Sequence, residues 1–218
     1  MGDVARTRVE AAEAGTALLW VRGLTRAGLE PADLELASGE LLLISGPSGA
    51  GKSLLLRALA DLDPNSGEIF LKGEPRNRFP APQWRRLVTY LSATPGWWAP
   101  TVQEHFRPED KDIAAGMLAR LGLPPQAMEW DVDRLSTGES QRLALLRALV
   151  QCPAVLLLDE PTGALDAKST AQVEDFLRER LANGLAVILV SHDRAQGRRL
   201  AKRSLVMAKG GKLSEGPP

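Results

Sequence analysis

The strongest chemical signal in the chain is one run of eight residues, Gly46-Pro47-Ser48-Gly49-Ala50-Gly51-Lys52-Ser53. It fits G-x-x-x-x-G-K-[ST], the spacing of a loop that cradles phosphate. Gly46, Gly49 and Gly51 free the backbone to take positive φ and to approach an anion closely. Backbone N–H groups then face the phosphates, backed by the positive end of the helix that follows. Lys52 offers a compact cation to the β- and γ-phosphates, and the Ser53 hydroxyl offers a ligand to Mg²⁺. The same letters could also form a glycine-rich turn that binds nothing. The flanks argue for the cradle, because residues 40–45 read as a buried strand and residues 54–59 as a helix.

Two further strand ends carry ionisable groups. The apolar run Val155-Leu156-Leu157-Leu158 ends in Asp159-Glu160. Such a pair can simply close a strand. Beside a phosphate loop, however, Asp159 can hold the Mg²⁺ shell and Glu160 can polarise the water that attacks the γ-phosphorus. Nucleotide sites form at the carboxyl ends of parallel strands, which is where this pair would lie. A second apolar run, residues 185–191, ends at His192. Alone that residue reads as a surface histidine; at a strand's carboxyl end its imidazole can reach the γ-phosphate or orient the nucleophile.

These groups need a scaffold, and the chain spells one out. Residues 17–24, 33–37, 68–71, 88–91 and 204–208 read as further strands, with turns at Ser38-Gly39, residues 63–67 and Lys72-Gly73. Leu143, Leu146, Leu149 and Val150 recur at helical spacing before Pro153. Val173, Phe176, Leu177 and Leu181 do so before Asn183-Gly184, and residues 194–201 form a third helical stretch. Alternating strands and helices predict an α/β fold with a mainly parallel, helix-covered sheet. Residues 92–134 differ, with prolines at 95, 100, 108, 124 and 125 and one short helical pattern over 112–121. They read as a small helical lobe. In it Trp97-Trp98 is either core or, with residues 100–106, the lining of a groove for a partner's helix; neighbouring aromatics in a loop favour some exposure. Residues 1–15 read as a frayed polar leader, and the chain is expected to end in a Gly/Pro-rich tail.

Composition narrows the class. Among 218 residues, 27 Lys+Arg balance 27 Asp+Glu, which argues against nucleic acid as a partner. Cys152 is the only cysteine, so no disulfide forms within the chain and a reducing compartment is expected. The longest apolar runs fall well short of the ~20 residues that span a bilayer. No secretory signal is visible, and Arg6 stands where an N-myristoylation motif wants Ser or Thr. A soluble cytoplasmic protein is expected, linked to a membrane only through a partner.

Three more stretches complete a pattern: Leu135-Ser136-Thr137-Gly138-Glu139-Ser140-Gln141-Arg142, then Leu158-Asp159-Glu160-Pro161-Thr162 with Ala164-Leu165-Asp166, then Ser191-His192-Asp193. With the phosphate loop, in this order and approximate spacing, they resemble the ATPase cassette of ABC transporters over about residues 18–213. The resemblance implies an α/β P-loop NTPase core with a mainly parallel sheet, an antiparallel β subdomain and a small helical subdomain bearing the signature. Within one cassette domain over 1–218, it assigns 17–91 and 154–214 to the core and β subdomain, and 92–153 to the helical subdomain. It implies ATP and Mg²⁺ as cofactors. Residues 46–53 become Walker A, continued by Leu54; residues 135–139 the signature; residues 155–160 Walker B, with Asp159 and the catalytic carboxylate Glu160; residues 164–166 the D-loop, ending at Asp166; His192 the switch histidine.

The resemblance further implies a homodimer or paired cassette, in which Ser136 and Gly138 of one copy close over ATP held by Lys52 of the other. ATP hydrolysis would then drive a separately encoded integral-membrane permease from its cytoplasmic face. The alternatives are a soluble ABC-type ATPase powering a cytoplasmic assembly machine, or a weakly hydrolysing regulatory nucleotide-binding module. Four departures stand out. Ala93 occupies the expected position of the Q-loop glutamine, Thr137 replaces the first signature glycine, Leu54 replaces a second hydroxyl, and no aromatic near residues 26–29 offers itself to adenine.

Overall fold

The computed structural model describes residues 17–216; the leader expected over residues 1–15 lies outside them. Ten strands form two sheets. In the first, β1 (Leu19–Arg26), β2 (Leu29–Leu36), β4 (Ser66–Leu71) and β5 (Glu74–Pro75) pair antiparallel in the order β2-β1-β4-β5. In the second, β3 (Leu41–Ser45), β6 (Val88–Leu91), β7 (Val155–Asp159), β8 (Ala186–Val190), β9 (Arg203–Met207) and β10 (Leu213–Gly216) run in the order β10-β9-β3-β8-β7-β6. All neighbours in that sheet are parallel except the β9–β10 pair. The tail expected to follow β9 without structure instead pairs back on it, Leu213 opposite Met207 and Gly216 opposite Ser204. Gly210 and Gly211, at φ 92 and 87, turn the chain for that hairpin.

The parallel strands are covered on both faces, which is why LLLIS, VLLLD and AVILV carry almost no polar residue before their ends. Alternate side chains feed two cores. Leu42, Ile44, Leu157, Ile188 and Val190 pack with the antiparallel sheet and α1 (Lys52–Leu59). Trp84, on α2 (Ala81–Leu87), closes that core and donates its indole N–H to the Leu59 carbonyl at 2.9 Å. Asp63 accepts from Arg57 at 2.7 Å and from Arg26, fastening the end of α1 to β1.

Leu41, Leu43, Leu156, Leu158, Val187 and Leu189 face the other way. They pack with α4 (Thr137–Leu149), α5 (Ala167–Ala182) and the proline-rich stretch, so that stretch shares its hydrophobic interior with the sheet. Prolines cut it into single 3₁₀ turns. Its one α-helix is α3 (Lys111–Met117), shorter than the pattern over 112–121 suggested, because the chain tightens to 3₁₀ over Leu118–Leu121 and stops at Gly122, φ 64. A last helix, α6 (Arg194–Leu200), leads into β9. Among the described residues, no helix is long and apolar enough to cross a membrane.

Candidate nucleotide site

Sheet register sets the site. Ile44 lies opposite Val190, Val190 opposite Asp159, and Leu158 opposite Leu91. Four adjacent parallel strands therefore end level, and the loops opened by Ser45, Ser191, Glu160 and Ser92 share one carboxyl edge, the edge where open α/β sheets bind ligands.

At that edge the loop of residues 46–51 passes into α1. Gly46 holds φ 144, and a Cβ there would fall 2.2 Å from the Met207 carbonyl oxygen. Gly51, at φ 109, precedes a helix with no side-chain N-cap and no acid in its first turn. Its leading N–H groups and positive end are thus left for an anion. Lys52 Nζ donates to the carbonyls of Gly46 at 2.9 Å and Pro47 at 3.0 Å, which holds the ammonium across the loop. Ala50 is buried beneath it.

A cleft of about 300 Å³ opens over this loop. Ser48, Gly49, Gly51, Lys52, Ser53 and Leu54 line it together with Asp159, Glu160, His192 and Ala93. The structure thus brings together the phosphate loop, both carboxylates and the histidine expected to act with them. Asp159, only 5% exposed, accepts a hydrogen bond from the Tyr90 hydroxyl at 3.0 Å. Burial, and the nearby Asp159 charge, push the Tyr90 phenol well above its ordinary range, so it stays a donor.

Glu160 adopts φ 50, a left-handed conformation unusual for a residue with a side chain. Its N–H donates to the Val190 carbonyl at 2.9 Å, which fixes the turn. Its Oε2 accepts from the His192 backbone N–H at 3.3 Å, and His192 Nε2 lies 3.4 Å from Oε1. Burial pushes this carboxyl above the usual glutamate range, against the opposing pull of the His192 N–H.

Ser136, Gly138 and Asp166 do not line this cleft. Ser136 caps α4 in a reciprocal box: its Oγ accepts from Glu139 N–H at 3.3 Å, and its own N–H donates to Glu139 Oε2 at 2.9 Å. Gly138 packs on the D-loop stretch, where a Cβ would meet Leu165 Cδ2 at 3.1 Å. Asp166 caps α5, accepting from Ser169 N–H at 2.8 Å. Trp20, on β1, is buried edge-on against Phe70.

Two residues of the site escaped the sequence reading. Tyr90 was legible only as a strand residue, since its reach to Asp159 depends on the β6–β7 pairing. Gln141, deeply buried, donates to the Ala93 carbonyl at 3.2 Å. The signal for Tyr90 was a polar group near the end of a short strand run, while Gln141 stood in the signature stretch with no role of its own.

A phosphate cradle between strand and helix, with a carboxylate pair ending a neighbouring parallel strand, defines a P-loop nucleotide-binding protein of the α/β class. The family model described as "ABC transporter" matches residues 29–163, and the chain belongs to that family, as a subunit of its ATP-binding type. The matched relatives are ATP-binding proteins of transporters, and ATP hydrolysis is the activity of that family. The aliphatic sulfonates import ATP-binding protein SsuB 3 of Rhodococcus jostii is 39% identical over 82% of this chain, and the chain spans 65% of that protein's length. The probable iron export ATP-binding protein FetA of Escherichia coli is 36% identical over 74% of this chain and 76% of its own length. Among solved structures, the dimeric cassette MJ0796 bound to ADP and Pi superposes with TM-score 0.78 at 22% identity, covering 92% of this chain and 99% of that one. A bacterial Atm1-family ABC exporter with ATP bound gives TM-score 0.75 at 24% identity over 90% of this chain and 38% of the exporter chain. These two likenesses establish the cassette fold.

Proposed function

We propose that this chain is the ATP-hydrolysing motor of an ABC transporter, working as a pair of cassettes across two ATP molecules and bound to an integral-membrane permease on the cytoplasmic face. The level strand ends that gather Lys52, Asp159, Glu160 and His192 around one cleft carry this reading. Lys52 and the N–H groups of residues 48–53 bind the β- and γ-phosphates. Glu160 takes a proton from water as its oxygen attacks the γ-phosphorus; the β–γ bridging P–O bond breaks, and ADP and phosphate leave. His192 orients the Glu160 carboxylate through its backbone N–H, with its ring close beside Oε1.

The donor set suits Mg²⁺. Among the described residues, no cluster of three or more His, Cys, Asp or Glu could cage a metal unaided. A hard cation that keeps its waters and leans on substrate phosphates needs only what Ser53 and Asp159 offer. Those two residues would hold it, and it would supply neutralisation of phosphate charge.

Ser136, Gly138 and Asp166 lie outside the cleft of their own chain, which is the arrangement expected if they complete the site of a second copy. Residues 92–153 serve as the helical subdomain that carries this signature face. The permease docks beside Trp98, which is 73% exposed. There Arg86, Arg107 and Arg147 line a hollow of about 160 Å³ whose one acid, Asp110, is engaged by Arg107 at 2.7 Å. Burial pushes the Arg147 guanidinium down to about 10, and its Nη1 has no hydrogen-bond partner among the described residues. The exposed guanidinium of Arg86 offers its charge to a carboxylate on the partner's cytoplasmic segment. The relatives named above include both import and export proteins, so the reading is of a motor and leaves its cargo to the membrane subunit.

Ala93 favours a second reading, a regulatory module with weak turnover, because its methyl group in the cleft can neither ligate nor polarise. A steady-state ATPase assay of the wild-type chain and of Glu160→Gln separates the two. The motor reading expects a magnesium-dependent turnover that falls by about 10²–10⁴-fold in the variant while ATP binding persists. Turnover unchanged by the substitution removes Glu160 from the chemistry.

A further inference from the structure

Helix α4 leaves the signature at Ser136 and runs behind the loop that follows β6, and three of its side chains hold that loop. Gln141, 6% exposed, donates through Nε2 to the Ala93 carbonyl at 3.2 Å and to the Glu160 carbonyl at 3.5 Å. Ser140 Oγ accepts from Trp97 Nε1 at 2.8 Å. Arg147 donates to the Gly96 carbonyl at 3.0 Å, and its guanidinium lies 4.6 and 4.7 Å from the ring centres of Trp97 and Trp98. One rigid helix therefore touches the cleft edge through Gln141 and the exposed Trp98 through Arg147.

The chemistry of Gln141 speaks for a task beyond filling space. Its Oε1 is buried and has no hydrogen-bond partner among the described residues. Leucine or methionine would fill a similar volume without burying that oxygen. What the amide adds is its bonds to the backbone of Ala93 and Glu160, two residues that line the cleft from different loops. Ala93 has no polar side chain with which to make such a connection itself.

We propose that Gln141 is the positioning residue that ties the cleft to α4, so that a change at the γ-phosphate end moves the helix and the Trp97–Trp98 face as one body. The inference rests on the role given to Glu160 above. It commits the linkage to a buried amide on the signature helix, with Ser140 and Arg147 carrying it to the surface.

The full chain supplies its own probe. Cys152, exposed and the sole cysteine, sits just past the end of α4 and takes a fluorophore. In the wild type, ATP is expected to change the label's emission. Gln141→Leu is expected to bind a fluorescent ATP analogue within about threefold of wild type, with little change in KM. Its kcat is expected to fall about 10–100-fold, the scale of a misplaced catalytic group, and the ATP-dependent emission change to vanish. Gln141→Met, unbranched like glutamine, is run in parallel as the gentler packing substitution. Glu160→Gln should lose turnover yet keep the emission change, so a failure of the Glu160 assignment is read separately. The proposal is overturned if both Gln141 variants keep wild-type kcat and emission. It is equally overturned if both lose ATP affinity and melting temperature together, since Gln141 would then be core filler.

Discussion

Glu160 combines a strained backbone, a half-buried carboxyl and a histidine neighbour, and each has a measurable consequence. The φ of 50 costs on the order of 1–3 kcal/mol, which the Glu160 N–H bond to Val190 and the packed strand end must hold in place. Its carboxyl pKa is raised in the folded chain, first by burial. The sign follows from linkage: the neutral acid's contribution to stability is complete below the unfolded value and is lost as pH rises through the folded one. The ionised residue is therefore a liability at neutral pH. Glu160→Gln, which imitates the neutral acid, should melt higher than wild type near neutral pH without ligand. The difference should shrink toward acid in thermal scans across the range. Tyr90 is a second test at this scale. Tyr90→Phe deprives buried Asp159 of its donor at 3.0 Å, and urea unfolding without nucleotide should show a loss of about 1.5–3 kcal/mol, the worth of a hydrogen bond to a charged group.

Elements show how far a linear reading reaches. The runs that became β3, β7 and β8 are apolar throughout and end in polar residues, so both their burial and the position of the site at their ends could be read directly. Ser136 and Glu139, which cap α4 reciprocally, lie three residues apart and need no distant pairing to meet. What stayed hidden depends on pairing. The Gly210-Gly211 turn gave no hint that Leu213–Gly216 would add a strand, because that strand is stabilised by β9 and carries little pattern of its own. Tyr90 and Gln141 gain their partners only when distant segments meet. Two substitutions test the element level. Ser136→Ala removes the cap of α4 and should cost about 0.5–2 kcal/mol in chemical denaturation. Gly46→Ala drives a methyl group to 2.2 Å from the Met207 carbonyl and so forces β9 from β3. Soluble expression and far-UV dichroism should register a failure to fold that nucleotide does not rescue.

At the scale of the whole molecule, the decisive feature is that Ser136 and Gly138 of the signature do not line the phosphate cleft of their own chain. Ser136 and Gly138 cap and open α4 beside Leu165, while Lys52 crosses the loop at the sheet edge. A site that needs both must borrow one from a neighbour, and an isologous pair supplies two such sites at once. This makes a prediction that no property of an isolated chain could meet. Lys52→Met should be inactive because its cradle lacks the cation, and Gly138→Asp should be inactive because a carboxylate would face the γ-phosphate. Mixed in equal amounts and allowed to exchange, half of the pairs are heterodimers. Each of those joins one intact cradle to one intact signature, so turnover should recover to about a quarter of wild type at equal total protein. Recovery should vanish when both substitutions lie on the same chain and wild type is absent. If the mixture stays as inactive as its parts while each variant still folds and pairs, Ser136 and Gly138 have no part in a neighbour's site, and the paired arrangement proposed for this motor is wrong.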